Sequence, residues 1–215
     1  MIERIDRKRQ VLTYVAKYCF EGTLEAHKDH IPLELVPHGS QATQRCCVYR
    51  EREVLRNRVD WACGRASVYD GQEYTRTYEP VAVMNSACEG CPLQRYTVTS
   101  NCQHCMAKRC LQACRFGAIT MTHQGAIINP DKCRECGMCA QACPYNAIAD
   151  ARRPCVRSCP VDAISVDKKN RRASIDYNKC ISCGNCTVAC PFSAISDVSM
   201  ITDVIEAIRD EKQEV

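Results

Sequence analysis

Apolar positions change their spacing several times along this chain. From Asp6 to Phe20, Val11, Leu12, Val15 and Tyr18 recur at helical intervals and form one stripe, with Gly22 following as a stop signal. The same period returns from Val48 to Cys63, where Val54, Leu55, Val59 and Ala62 stand among many arginines and Gly64 closes the segment. Between these two predicted helices, IPLELVPHGS is broken by Pro32 and Pro37 and reads as extended loop. A further amphipathic helix is predicted in VSMITDVIEAIRDEKQ, with Ile201, Val204, Ile205 and Ile208 on its apolar face. In the stretch before it the helical period gives way to short -AI- runs separated by polar turns, which predict strands.

Those strands belong to an internal repeat. CRFGAITMTHQGAIINPDKCRECGMCAQACPYNAI matches CPVDAISVDKKNRRASIDYNKCISCGNCTVACPFSAI, with Cys133 recurring at Cys180 and Cys114 at Cys159, offsets of 47 and 45 residues. Each copy has a Cys, an -AI- strand, a polar turn, a second strand (AIIN; ASID) and a run of four cysteines. The expected class is α+β. A helical region (1–80) leads into a first cysteine-rich module with an upstream Cys pair (81–150). A second module (151–197) and a C-terminal helix (198–215) complete the chain.

Composition changes the picture of what fills the core. Twenty of 215 residues are cysteine, and Phe and Trp together number four, too few for a large hydrophobic interior. A secreted disulfide framework and metal binding both account for so many cysteines. The opening MIERIDRKRQVLTYVAKYCFEG carries charges throughout and lacks an apolar leader, and no run approaches the ~18 apolar residues of a membrane span. A reducing cytoplasm, with cysteine as thiolate ligand, is therefore expected, with no membrane partner. The net charge of +4 is not a nucleic-acid signal. Each [4Fe–4S] core held by four thiolates contributes about −2, so four would bring the chain to roughly −4. The acids in MIERIDRKRQ likewise argue against a nucleic-acid arm. No nucleotide loop, catalytic triad order or paired catalytic carboxylates emerge.

Two cysteine runs are complete: Cys133, Cys136, Cys139 and Cys143 before Pro144, and Cys180, Cys183, Cys186 and Cys190 before Pro191. Two-residue gaps let three thiolates of one turn reach three irons of a cubane, whereas zinc takes a single tetrahedron of four ligands. The fourth cysteine is expected to start a helix, point away and serve the other cluster of a pair. Residues 102–197 resemble two bacterial dicluster ferredoxin modules in tandem. Ferredoxin pairing then implies cluster one at Cys102, Cys105, Cys110 and Cys143, although the gap of four before Cys110 and Arg115 in place of proline depart from the pattern. It implies cluster two at Cys133, Cys136, Cys139 and Cys114, and cluster three at Cys180, Cys183, Cys186 and Cys159. Cys155 and Cys190 remain, and Cys88 and Cys91 of ACEGCP complete a fourth set. Two rival readings stand: a zinc ribbon from Cys88, Cys91, Cys102 and Cys105, or a fourth site without metal. Cys19, Cys46, Cys47 and Cys63 read as small buried thiols on helices. His104 reads as a spacer within CQHC, and His27, His30, His38 and His123 as surface residues.

Taken together, VLTYVAKYCFEG, RCCVYREREVLRNRV, ACEGCPLQRYTVTSNCQHCMAKRC, RPCVRSCPVDAISVD and CPFSAISDVSMITDVI resemble the N-terminal iron–sulfur relay region of one group of [FeFe]-hydrogenases. The resemblance implies that the clusters pass electrons between a soluble carrier such as ferredoxin and a catalytic H-cluster domain or subunit, in an anaerobic cytoplasm. The TSCCP, MPC-x2-K and C-x-GGC motifs of that catalytic domain do not occur here, so a relay part without the catalyst, no enzyme by itself, is expected. The alternatives are the four-cluster electron-transfer subunit of another anaerobic oxidoreductase, such as a molybdenum enzyme, and a regulatory or structural metal protein.

Overall fold

The computed structural model describes residues 2–66, 75–77, 79–92, 94–167 and 170–210. In chain order the elements are α1 (Ile2–Phe20), α2 (Leu24–His27), α3 (Ile31–Leu35), α4 (Val48–Ala62), β1 (Arg65–Ala66), β2 (Thr75–Arg76) and β3 (Val81–Val83), then a 3-10 turn at Asn85–Ala87. There follow β4 (Tyr96–Val98), α5 (Arg109–Ala113), β5 (Ile119–Thr122), β6 (Gly125–Ile128), α6 (Met138–Ala142) and β7 (Ile148–Asp150). The last are α7 (Pro154–Ser158), β8 (Ile164–Val166), β9 (Ala173–Ile175), α8 (Asn185–Ala189), β10 (Ile195–Asp197) and α9 (Ile201–Arg209). By packing, the chain divides into one unit of residues 1–90 with 154–215 and another of residues 91–153. Helices and small antiparallel sheets together make the fold α+β.

In the first unit, α1 packs against α4 and α9. The stripe expected from the sequence is the one buried: Val11, Val15 and Tyr18 meet Leu55, Val59 and Ala62. IPLELVPHGS departs from the expected loop, because Ile31–Leu35 is helical. Pro32 sits in the first turn, where no intrahelical donor is required, so it starts α3 instead of breaking it. The C-terminal helix forms over Ile201–Arg209, and Ile205 is its buried apolar residue, whereas Val204 and Ile208 are exposed. Its expected extension to 213 lies outside the described residues. A second core gathers Val54, Trp61, Val81, Met84, Ile164, Ile175 and Ile195. Around it β8 and β9 form a hairpin with Ser165 opposite Ser174, and β3 pairs antiparallel with β10, Ala82 opposite Ser196. The Tyr177 hydroxyl donates to the Val81 carbonyl at 3.1 Å and ties the β9 side to β3.

The second unit repeats that arrangement in one continuous stretch. β4 pairs with β7, Thr97 opposite Ala149, and β5 with β6, Thr120 opposite Ile127. Tyr96, Ile119, Ala126, Ile128 and Ile148 make its core. Arg95 braces the β4–β7 edge through Asp150 at 3.0 Å. In both units the outer pair joins the first strand to the last, and a hairpin lies between. In the first unit the opening strand, β3, is separated from its partner strand by the whole of 91–153. Among the described residues, no helix is long and apolar enough to cross a membrane.

Candidate metal centres

The sulfurs are positioned by one recurring local structure. Three residues after Cys114, Cys143, Cys159 and Cys190 stand Gly117, Asn146, Asp162 and Ser193, all in the left-handed region with φ of 58°, 49°, 49° and 50°. That reversal turns the next backbone N–H toward the sulfur. Ala118, Ala147, Ala163 and Ala194 donate to the Sγ of Cys114, Cys143, Cys159 and Cys190 at 3.3–3.4 Å. A left-handed conformation at a residue other than glycine costs about 1 kcal/mol, so its recurrence marks turns held for a purpose. A second left-handed position falls at His104, Glu135 and Ser182, the second spacer of each Cys-x2-Cys. There the N–H groups of Glu135 and Ser182 donate to Cys133 and Cys180, each at 3.4 Å. His104 therefore supplies a turn, and its exposed ring agrees with a spacer role.

The fourth cysteine of each run does not start a helix as expected. Cys110, Cys139, Cys155 and Cys186 lie inside α5, α6, α7 and α8, while Cys114, Cys143, Cys159 and Cys190 follow the helix ends. Lys108, Gly137 and Gly184, all left-handed, lead into three of these helices, so the turn from the second cysteine already begins the helix.

The thiols gather in sets. Burial pushes the Cys110 thiol up, and Cys105, Cys143 and Cys102 push it further, so these four share one neighbourhood. The Cys139 thiol is likewise raised by burial, then by Cys133 and Cys114, with exposed Cys136 on the loop after Cys133. Cys186 is raised by burial, then by Cys180 and Cys183. Cys159, Cys180, Cys183 and Cys186 also line one small cavity with Val81 and Ile164. Cys88, Cys155 and Cys190 are buried in the same core cluster. Cys91, half-buried, follows Cys88 by three residues and opens the 91–153 unit. Among the described residues, no three Cys, His, Asp or Glu side chains converge as the ligands of a single ion do. A cubane spreads its thiolates over four irons, so all-sulfur sets that gather without meeting at a point fit it better than they fit zinc.

Several residues around Cys88 and Cys190 escaped the sequence reading. A Cβ on Gly90 would stand 2.2 Å from Cζ of Phe192, so the ACEGC loop lies directly on the ring that follows Cys190–Pro191. Asn57 Nδ2 of α4 donates to Ser86 Oγ at 2.7 Å and holds the turn that ends at Cys88. The Ala173 N–H of β9 donates to Cys88 Sγ at 3.4 Å. Arg45 donates to the Phe192 carbonyl at 2.7 Å, and Arg58 to that of Ser193 at 3.2 Å. Arg7, Arg45, Arg58 and Glu51 border a cavity of about 280 Å³ beside Pro191–Ser193. Burial and then Arg50 lower the Arg45 pKa, while Cys190 raises it, which places a half-buried cation within reach of that sulfur. Only a glycine between two cysteines hinted at any of this, as a place where backbone approaches closely.

The four remaining cysteines divide. Cys19 is buried and Cys63 half-buried, both with thiols raised by burial, Cys63 to about 11. Cys46 and Cys47 are exposed, contrary to expectation, because they precede α4 and do not lie within it. Of the histidines, His30, His38 and His123 are exposed as expected, while His27 is half-buried and stacks on Tyr18 at 4.4 Å.

Comparison with known proteins places this geometry among iron–sulfur domains. Residues 148–201 match the LdpA Fe-S cluster-binding domain, and residues 126–149 the 4Fe-4S binding domain. An uncharacterized ferredoxin of Methanocaldococcus jannaschii is 43% identical over 47 residues, 22% of this chain and 28% of the relative. The B subunit of the anaerobic dimethyl sulfoxide reductase of Escherichia coli is 29% identical over 90 residues, 32% of this chain and 44% of the relative. Ferredoxin-1 of Caulobacter vibrioides is 36% identical over 53 residues, 25% of this chain and 47% of the relative. In each case the match spans less than half of the relative. The chain is accordingly an iron–sulfur electron-transfer protein with ferredoxin-like, [4Fe–4S]-binding domains.

Proposed function

We propose that this protein is a one-electron relay built on four [4Fe–4S] sites, two in each of two tandem dicluster modules. Cys102, Cys105, Cys110 and Cys143 hold the first, Cys133, Cys136, Cys139 and Cys114 the second, and Cys180, Cys183, Cys186 and Cys159 the third. Cys88, Cys91, Cys155 and Cys190 hold the fourth. When bound, each cluster supplies one-electron chemistry at a potential set by charge, burial and hydrogen bonds to its sulfurs. The protein holds the thiolates, aims backbone N–H groups at them, and offsets their charge with cations such as Arg45. The observation that carries the four-site reading is the shared order of elements in the two units. Cys110 lies in α5, before the hairpin of its unit, and Cys155 lies in α7, before the hairpin of its own. In that frame β3 and the Cys88 turn take the place that β4 and Cys102 take in the continuous unit, so the apparently absent front half of RRPCVRSCP lies upstream.

The relay serves a hydrogenase-type catalytic domain or subunit, a reading that rests on RCCVYRER, TVTSNCQHC and the other segments of that resemblance. Electron transfer to a molybdenum-type reductase is the second reading, favoured by the similarity to the dimethyl sulfoxide reductase subunit. Anaerobic reconstitution with iron, sulfide and zinc analysis tests the site count. About sixteen irons and no zinc are expected, and a Cys88→Ser/Cys91→Ser variant should bind about four fewer. Twelve or fewer in the parent protein, or one bound zinc, overturns the assignment. Hydrogen evolution is expected only after addition of a hydrogenase catalytic domain; reduction of an S-oxide through a molybdenum subunit alone would select the second reading.

A further inference from the structure

Cys46 and Cys47 belong to none of the four sets, and the structure leaves both exposed, with their sulfurs 4.0 Å apart. Cys47 is the N-cap of the fifteen-residue helix α4 and has extended backbone, φ −158° and ψ 163°. We propose that Cys46 and Cys47 form a redox-active vicinal dithiol that exchanges with low-molecular-weight disulfides. The Cys47 thiolate attacks one sulfur of the disulfide RSSR, forming a mixed disulfide and releasing RS⁻, which takes up the Cys47 proton. Cys46, losing its own proton, attacks the Cys47 sulfur, closes the Cys46–Cys47 bond and expels the second RSH. The pair is oxidised by two electrons and the external disulfide is reduced to two thiols.

The surroundings assign the roles. The Arg50 N–H, the Cys46 thiol and the Tyr49 N–H all lower the Cys47 pKa, so Cys47 is the attacking sulfur. Neighbouring Cα atoms lie about 3.8 Å apart, inside the usual disulfide range of about 4.4–6.8 Å, so the closed ring is strained and easily reduced again. Such strained, exposed bonds belong to the exchanging class and not to the structural one. The pair is also fastened to the loops around it. Arg45 donates to the Phe192 carbonyl, and Arg50 pairs with Glu89, the neighbour of Cys88. Closure of the ring therefore takes place between two tethers on the loops that carry Cys88 and Cys190.

The test uses the full, reconstituted protein under anaerobic conditions, treated with oxidised glutathione, alkylated and analysed by peptide mass. Both thiols should be alkylated before treatment. Afterwards neither should be, the peptide should be lighter by two hydrogens, glutathione should not be retained, and the iron content should be unchanged. Cys46→Ser should stop at the mixed disulfide on Cys47, and Cys47→Ser should react far more slowly. Persistent alkylation of both residues in excess oxidant overturns the proposal, as does glutathione retained on the parent protein. Iron lost in step with oxidation also overturns it, since the reactive thiols are then ligands. The mass readout is independent of the number of clusters, so its failure leaves the relay reading standing.

Discussion

Gly90→Ala is the smallest change that should separate the fourth site from the other three. The added Cβ would stand 2.2, 2.4 and 2.8 Å from Cζ, Cε1 and Cε2 of Phe192, more than an ångström inside ordinary contact for the nearest atom. An aromatic ring cannot fold away as a flexible tip can. Either the ring swings out or the loop carrying Cys88 backs off. Overpacking of this kind costs about 1–3 kcal/mol, and a retreat of the loop moves Cys88 away from Cys155 and Cys190. In a domain of this size that cost lowers Tm by about 2–8 °C. Iron counting after anaerobic reconstitution should show about four irons lost per chain, with the remainder retained. The informative partner is Phe192→Ala, which removes the ring. Alone it should cost about 3 kcal/mol or less at this half-buried site, and combined with Gly90→Ala it should restore the lost irons. A Gly90→Ala variant with full iron and unchanged Tm, or a double variant as poor as the single one, would refute the reasoning.

Other expectations follow from single contacts. Gly137→Ala and Gly184→Ala occupy equivalent repeat positions with φ near +80° and +75°, and each should lose about 1 kcal/mol for the left-handed backbone. Only Gly137→Ala also drives a Cβ to 2.6 Å from the Tyr96 hydroxyl, so chemical denaturation should find it the worse of the two. Glu51 is buried and accepts from the Thr43 N–H at 3.1 Å; Glu51→Ala should cost about 1–3 kcal/mol in urea unfolding. Burial raises the Asp60 carboxyl to about 6, which disfavours its charged form in the fold. Stability contributed by the protonated group is full below the unfolded pKa and falls as pH rises to about 6, then levels. Asp60→Asn should remove that slope and stabilise the fold at pH 8 by about 1 kcal/mol, discounted for partial exposure; an unchanged pH profile would refute the assignment.

Local features were legible where one period dominates. Val11, Val15, Leu55 and Val59 declared their helices because one face had to be apolar, and AITM/AIIN and AISV/ASID declared their hairpins because strand, turn and strand are contiguous. The pairing of Val81–Val83 with Ile195–Asp197 was not legible, since a three-residue apolar run names no partner across the intervening chain. Pro32 misled because its meaning depends on its place in a helix, and the capping geometry, not the residue, fixes that place. The order of third and fourth cysteines about the short helices was misread for a similar reason. The left-handed residue before each helix lets it begin ahead of the third cysteine, and a spacing rule carries no φ. Cysteine arithmetic proposed that Cys88 and Cys155 belong together, but the means of bringing them there, Gly90 against Phe192 and Asn57 against Ser86, needed coordinates.

The interrupted first unit also imposes a timetable on biosynthesis. Residues 91–153 contain both strand pairs of their unit, so that unit can close as soon as it has left the ribosome. Val81–Val83 must wait for Ile195–Asp197, an interval of roughly 6–22 s at about 5–20 residues per second. Through that interval the apolar VAV edge and the Cys88 thiol stay without the β10 strand and the Cys190 loop that later cover them, the condition in which strand edges aggregate and thiols oxidise. The last thirty residues or so are thus a latch for the first ninety, and nascent chains stalled before Ile195 should be the species that chaperones and iron-loading machinery meet with one unit closed and the other open.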